Sequence, residues 1–416
     1  MSTPSVLFRN AIDLNRYSNS VARQIIQNYN RIILDSVDQL QRLIPNVTEG
    51  ELQPITAPAK AARLRSILAQ LKESLDTWAG DSALLTATEL QGLAELQSEF
   101  VQGQLEQALP AGSRTVVNTV EISPQFARSV VMTDPTQIGV VTLSDDLFAA
   151  AYGSPQTFSL TATQGTAITL PNGEVVNKAF RGISEKQSAR FAQVVRQGLL
   201  TGEPTQDIAR RLVGRLDFAD FGPLSRGQVR AAGLSVKQLQ KAGGELTRVT
   251  NSQVLTLVRT SVNQVANAAS QQVYEANQDI TKRYRYVATL DTRTSAICRA
   301  LDGREFEYGK GPKPPQHFNC RSTTVPVIEQ EEDETPLPVG RRAAQGGMVP
   351  ANQSYGEWLS KQSKSRQAEA LGESRVPYFN RLSAKYGPRD AIAKFVRDDG
   401  SELTLKQLRS RYGRVN

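Results

Sequence analysis

The sequence predicts a predominantly helical α+β protein. Residues 1–110 carry long apolar stripes at helical spacing, whereas residues 111–180 are rich in β-branched residues. Strand-like stretches flank a compact segment from Asp291 to Ser322. The chain has 416 residues, and a domain takes roughly 150, so we expect two or three domains.

Residues 1–110 are predicted to form a helical region. The clearest apolar stripe repeats every three or four residues and consists of Leu64, Ile67, Leu68, Leu71, Leu75 and Trp78. Similar stripes precede and follow it, from Ile33 to Leu43 and from Leu90 to Leu105. We expect three or four long helices, separated at Pro45, residues 54–58 and Gly80 and closed by Pro110.

Residues 111–180 are predicted to be a β-rich connecting region, with a hairpin centred on Gly165. Helices resume in residues 181–328, and the longest is expected from Ser252 to Gln278. Within this span, residues 215–248 are Gly-rich and basic, which is typical of an inserted loop with a short helix.

The segment after residue 283 predicts short strands and a short helix. Alternation from Arg283 to Leu290 favours a strand, and Asp291 then opens a turn that Arg293 is expected to tie down. A short helix should end at Gly303, and a last strand should follow Cys320.

The end of the chain is predicted to be a linker followed by a basic helical tail. Residues 329–350 hold an acidic run and prolines, and residues 351–416 hold short apolar clusters. The segment 341–416 carries 15 Lys and Arg against 7 Asp and Glu, whereas the rest of the chain carries 34 of each. The net charge of +8 therefore lies in this segment, which favours contact with nucleic acid or an acidic surface, a solvated helical face being the alternative.

Composition excludes several classes of protein. No apolar run approaches the roughly 18 residues of a membrane span, and we find no signal peptide at the N-terminus. Two cysteines in the whole chain cannot form a disulfide framework, so we expect a reducing compartment.

All of the chain's cysteine and histidine lies in one stretch, at Cys298, His317 and Cys320. Such residues can hold zinc, but a structural site needs four ligands, and the fourth would have to be Asp291, Asp302 or water. We therefore expect no metal or other cofactor and interpret the three as packed together. With a single histidine and no phosphate-binding loop or HExxH motif, the sequence gives no support for catalysis.

The ordered motifs of this segment resemble the phage Mu F-like minor head proteins, the head-morphogenesis family of tailed bacteriophages. The family's pattern is matched by Arg259, Thr260, Asp291, Arg293, Thr294, Cys298, Asp302, Gly303, His317, Cys320 and Arg321. The matching domain covers about residues 181–328. Many members have a proline and a second cysteine where this chain has Phe318 and Ser322, and that departure removes a fourth thiolate.

The resemblance implies a minor capsid protein, present in several copies in the virion at or near the portal vertex and made in the bacterial cytoplasm. It implies a role in head assembly, DNA packaging or DNA delivery. The implied partners are the portal, scaffold or major capsid protein and packaged double-stranded DNA. The helical stripes of residues 1–110 would supply the partner surface unless they close into a bundle within the chain.

Two alternatives belong to other classes. An enzyme, such as a toxin-like transferase or a nuclease, would need a further domain, and only 76 residues follow Gly340. A nucleic-acid-binding module would use the basic tail.

Overall fold

A computed structural model describes residues 3–43, 58–109, 115–124, 126–127, 131, 170–201, 203, 205–213, 245–328 and 340–414. The helices in these ranges are α1 (Thr3–Leu43), α2 (Pro58–Ala108), α3 (Val176–Leu200), α4 (Thr205–Val213), α5 (Glu245–Ala276), α6 (Ala296–Leu301), α7 (Tyr355–Ser360), α8 (Lys364–Leu371), α9 (Val376–Tyr386), α10 (Pro388–Ala393) and α11 (Leu405–Tyr412). The strands are β1 (Thr281–Val287), β2 (Glu305–Glu307), β3 (Thr323–Ile328), β4 (Arg341–Ala344) and β5 (Gly347–Pro350). The predicted helical α+β class is confirmed.

The long helices α1, α2, α3 and α5 pack around one hydrophobic core that also includes residues of α4, β1 and β3. Trp78 of α2 lies at its centre, with its ring centroid 5.2 Å from Tyr29 and 5.8 Å from Phe180. Its indole N–H donates to the Ile25 carbonyl of α1 at 3.0 Å, so this large side chain buries its apolar area without losing a hydrogen bond. The apolar stripes of residues 1–110 therefore face other helices of the same chain.

α2 runs unbroken through Gly80, where the sequence predicted a boundary. Buried residues continue at helical spacing on both sides of it, at Leu75, Trp78, Ala83 and Leu90. A glycine within a helix costs only about 1 kcal/mol relative to alanine, which this continuous packing outweighs. The expected three or four helices are thus two within the described part of residues 1–110, namely α1 and α2.

A three-stranded antiparallel sheet, ordered β2-β1-β3, packs against α5. Tyr284 of β1 pairs with Phe306 of β2 and Pro326 of β3. Gln271 of α5 donates to the Thr324 hydroxyl at 2.8 Å, which fixes the helix on the sheet. The strands predicted on both sides of the compact segment are present.

Residues 115–123, predicted to be β-rich, form no regular element. Side chains of neighbouring helices hold their backbone instead: Ser98 donates to the Val120 carbonyl at 3.0 Å, and the Asn277 side chain accepts from Asn118 N at 2.6 Å. The predicted hairpin around Gly165 and most of the predicted insert 215–248 lie outside the described residues. The last four residues of that insert belong to α5.

The predicted linker spans residues 329–350. Its second half, residues 341–350, forms a hairpin and is not a linker. β4 and β5 pair antiparallel, and Ala344 also bridges to Leu290 beside the compact segment. Gln345 N donates to the Leu290 carbonyl at 2.7 Å. Because these residues bond to the main domain, they hold the tail in place; residues 329–339 lie outside the described part.

The C-terminal helices have a second core of their own, which includes Tyr355, Trp358, Phe379, Phe395 and Leu408. The apolar clusters noted in residues 351–416 thus meet in one place. Leu290, directly before the compact segment, belongs to this core as well, so the chain between β1 and the compact segment packs against the tail. Among the described helices, none is long and apolar enough to cross a membrane.

Candidate functional site

The compact segment turns sharply after β1, and the Asp291 carboxylate organises that turn. Its Oδ1 accepts from the backbone N–H of Arg293 and from the Thr294 hydroxyl, both at 3.0 Å. The Arg321 guanidinium donates to both carboxylate oxygens of Asp291, at 2.5 and 2.9 Å. Burial raises the pKa of Asp291, but the hydrogen bonds and charge of Arg321 outweigh it, so this pKa lies below its ordinary value.

Arg293 does not tie the turn down, contrary to expectation. Its side chain is 81% exposed, and its guanidinium lies 3.9 Å from the Asp291 carboxylate. The bidentate partner is Arg321, thirty residues along the chain. Spacing alone favoured the adjacent arginine, whereas the sheet brings the distant one closer.

Asp302 connects three parts of the chain. Its Oδ1 accepts from Ala288 N at 2.6 Å and from Arg342 at 2.9 Å. Its Oδ2 accepts from Tyr355 N at 2.6 Å, at the start of α7. The adjacent Gly303 has a φ of 76°, in the left-handed region that favours glycine at a helix end.

The side chains of Cys298, His317 and Cys320 meet behind this turn, as expected of residues that pack together. The Cys298 sulfur lies 3.3 Å from His317 Nε2 and 3.7 Å from the Cys320 sulfur. Both cysteines are buried, and the phenol of Tyr286 lies 3.3 Å from the Cys298 sulfur. The three ligand atoms all lie within 4.8 Å of one another, so the structure brings together a group that could hold a metal ion.

The contacts within the cluster shift the pKa values of Cys298, His317 and Cys320 in different directions. A hydrogen bond from Cys298, aided by His317, lowers the pKa of Cys320, while the same bond to Cys320 and burial raise the pKa of Cys298. The hydrogen bond to Cys320 raises the pKa of His317.

Helix α5 supports the second half of the segment. The Thr260 hydroxyl accepts from Asn319 N at 3.0 Å, and Asn319 has a positive φ of 59°. Arg259, one residue earlier, donates twice to the Asn19 side chain of α1, at 3.0 and 2.7 Å. Burial and the charges of Arg293 and Arg321 lower the pKa of Arg259.

A cleft of about 620 Å³ opens between α1, α5 and the compact segment. Among the described residues, its lining includes Arg259, Arg293, Arg321 and Arg342 and no carboxylate. His317 and Cys320 reach the cleft, as does Ser295. The cleft is therefore basic and gives solvent access to one side of the cysteine–histidine cluster.

Every residue of the predicted motif lies in or beside the Asp291 turn, the cysteine–histidine cluster or the cleft. Most of their side chains form hydrogen bonds with other residues of the chain. Sequence reasoning missed Arg342, which sits in the predicted linker and therefore gave no signal. It also missed Ser295, whose hydroxyl caps α6 by accepting from Cys298 N at 3.4 Å and lies 2.8 Å from His317 Nε2. A serine directly before a short apolar helix is a recognisable capping signal.

The comparisons with known proteins identify one family. Residues 189–325, about a third of the chain, match the model of the family described as "Phage Mu protein F like protein". No curated protein and no solved structure matches the chain. The matched residues run from α3 to β3 and contain the whole compact segment.

Proposed function

We propose that this chain, which carries a domain matching the Phage Mu protein F like family, is a minor head protein of a tailed bacteriophage. We propose further that it acts by binding at the portal vertex, during head assembly, DNA packaging or DNA delivery. The family match over residues 189–325 is the observation that carries the proposal.

The use of the motif residues supports a binding role. Asp291, Thr260 and Asp302 accept hydrogen bonds from backbone or arginine groups of the protein itself. In an enzyme, some of these groups would be expected to point at a substrate. Here they hold the compact segment, the bundle and the tail in one arrangement.

The partner surface is not the apolar stripe of residues 1–110, because that stripe packs inside the bundle. Two of the α2 leucines face outward, Leu84 at 51% and Leu96 at 67% exposure. Single exposed apolar residues are common on protein surfaces, so the outer faces of α1 and α2 would bind mainly through polar contacts. We propose the portal protein as the partner of these faces.

Co-expression with the portal protein of the same phage tests this. The full chain should co-purify with the portal, and a phage lacking the gene should assemble shells that are poorly infectious. Virions should contain the protein at a few copies by mass spectrometry. If the protein is absent from virions, or if it turns over a nucleotide or cleaves nucleic acid and His317→Gln abolishes that turnover without changing incorporation, the proposal fails.

The basic tail supports DNA binding as a second role. Its exposed cations include Arg381 and Lys385 of α9 and Lys406 and Arg409 of α11. Phosphate contacts of this kind weaken steeply as salt rises. Binding of duplex DNA by the full chain should therefore fall with salt, and Lys406→Glu with Arg409→Glu should abolish it while portal binding persists.

A further inference from the structure

Two ligand–ligand distances in the cysteine–histidine cluster are close to those of a zinc site, and all three ligand atoms lie within 4.8 Å of one another. In tetrahedral coordination, zinc–sulfur bonds of about 2.3 Å and zinc–nitrogen bonds of about 2.0 Å place neighbouring ligand atoms roughly 3.5–3.8 Å apart. The Cys298 sulfur lies 3.7 Å from the Cys320 sulfur and 3.3 Å from His317 Nε2. We propose that Cys298, His317 and Cys320 bind one zinc ion, with the fourth position open to the basic cleft.

The imidazole is oriented as a ligand. Its Nδ1 lies 2.8 Å from the carbonyl oxygen of Phe318. A carbonyl only accepts, so Nδ1 carries a hydrogen in this bond, and Nε2 of the neutral ring then presents its lone pair. A backbone carbonyl that fixes the ring in this way is the usual second contact of a zinc-bound histidine.

The backbone around the ligands is fixed independently of any metal. Cys298 lies in α6, which Ser295 caps, and Cys320 N donates to the His317 carbonyl at 3.1 Å. Asn319 between them is held by Thr260 and by Thr256, each at 3.0 Å. Because the three ligands are already positioned, binding zinc needs little rearrangement.

Ligand chemistry favours zinc over harder cations. Two thiolates and an imidazole suit zinc, whereas calcium and magnesium prefer oxygen ligands. Two thiolates also neutralise the charge of the ion, which matters because the described part of the cleft lining holds arginines and no carboxylate. The sequence argued against zinc from the missing thiolate at Ser322; the cleft removes that objection, because a water molecule or the Ser295 hydroxyl can fill the fourth position.

Metal analysis of the full chain, purified under reducing conditions without a metal-affinity tag, tests the proposal. We expect about one zinc per chain. Replacement by cobalt should give a thiolate-to-cobalt charge-transfer band with the intensity of two thiolates. Cys320→Ser and Cys298→Ser should each halve that band, and His317→Gln should weaken zinc binding at least tenfold while leaving both thiolates.

Ser322→Cys is the matched gain-of-ligand variant. Ser322 is buried and interacts with both Cys298 and Cys320, so a thiolate there should raise the cobalt band to three thiolates and tighten zinc binding. If the cysteine variants do not fold, His317→Gln and Ser322→Cys still decide the question. A wild-type chain that is folded but holds no zinc, does not take up cobalt and leaves both thiols free to form a disulfide would overturn the proposal.

Discussion

The Asp302 carboxylate and the Arg342 guanidinium form a buried ion pair that joins the Mu F-like domain to the hairpin preceding the tail. The closest approach is 2.9 Å, and the two side chains are 0% and 3% exposed. Arg342 also donates to the carbonyl of Gln353 at 3.2 Å and to that of Ala288. Both charges are therefore satisfied by hydrogen bonds, which is the condition under which a buried pair is tolerated.

Removal of one partner of this pair should destabilise the protein strongly. Asp302→Ala leaves the Arg342 guanidinium buried without its counter-charge, and such changes reduce the free energy of unfolding by about 3–5 kcal/mol. Denaturant unfolding of the variant measures this loss. The double variant Asp302→Ala with Arg342→Met should recover part of it, because no charge then stays buried. A loss below about 1 kcal/mol in the single variant would contradict this account.

Asp291 should make the stability depend on pH in the acid range. Its folded pKa is below the ordinary value, so its contribution is fully present above the unfolded pKa, about 3.9, and is lost as the pH falls through the folded pKa. Asp291→Asn should therefore reduce the free energy of unfolding at pH 7 by about 1.5–3 kcal/mol. This difference from wild type should shrink as the pH falls below about 4.

Arg293→Ala is the control for that prediction. Its guanidinium is exposed and 3.9 Å from Asp291, and such surface pairs contribute about 0–1 kcal/mol. If Arg293→Ala destabilises the protein as much as Asp291→Asn does, the turn is anchored as the sequence predicted and not by Arg321.

Local sequence patterns predicted the helices and strands, but they could not predict which distant residues form ion pairs. The stripe around Trp78 and the alternation around Tyr284 predicted a helix and a strand, and both form because their apolar residues reach a core. The predicted helix boundary at Gly80 was wrong. One glycine destabilises a helix only slightly, and the buried apolar residues on both sides of Gly80 stabilise the continuous helix by more. Arg342 binds Asp302, 40 residues away in the sequence, and Arg321 binds Asp291, 30 residues away. Residue spacing does not predict contacts at such separations.

Two helical glycines should respond oppositely to alanine. A methyl group at Gly356 of α7 would collide with the Pro388 carbonyl of the neighbouring α10, whereas one at Gly80 of α2 would meet nothing within 4 Å. Gly356→Ala should therefore reduce the free energy of unfolding by about 1–3 kcal/mol. Gly80→Ala should raise it by about 0.5–1 kcal/mol, because alanine favours the helix.

Thermal or denaturant unfolding of the two variants decides the matter. The pair is informative because the substitution is identical and only the surroundings differ. If both variants are destabilised, the close approach of α7 and α10 is not what requires glycine at position 356.

The tail should stabilise the Mu F-like domain, although the sequence predicted only a linker between the two. A chain that ends at residue 328 lacks Arg342 and the Tyr355 N–H. The Asp302 carboxylate therefore loses the hydrogen bonds from these two donors. It also uncovers Leu290, which is fully buried in the tail core, and it removes the Ala370 carbonyl that accepts from Arg299 at 2.7 Å.

We therefore expect the truncated chain to unfold at a midpoint several degrees lower than the full chain, with faster amide exchange in β1 and the Asp291 turn than in α2. Asp302→Asn in the truncated chain is the matched control. It removes the unpaired charge and should recover part of the midpoint, whereas the same substitution in the full chain should lower it, because there the carboxylate is paired. Equal midpoints for the full and truncated chains, with unchanged exchange in β1, would show that the tail only rests on the domain and that the Asp302–Arg342 pair contributes no net stability.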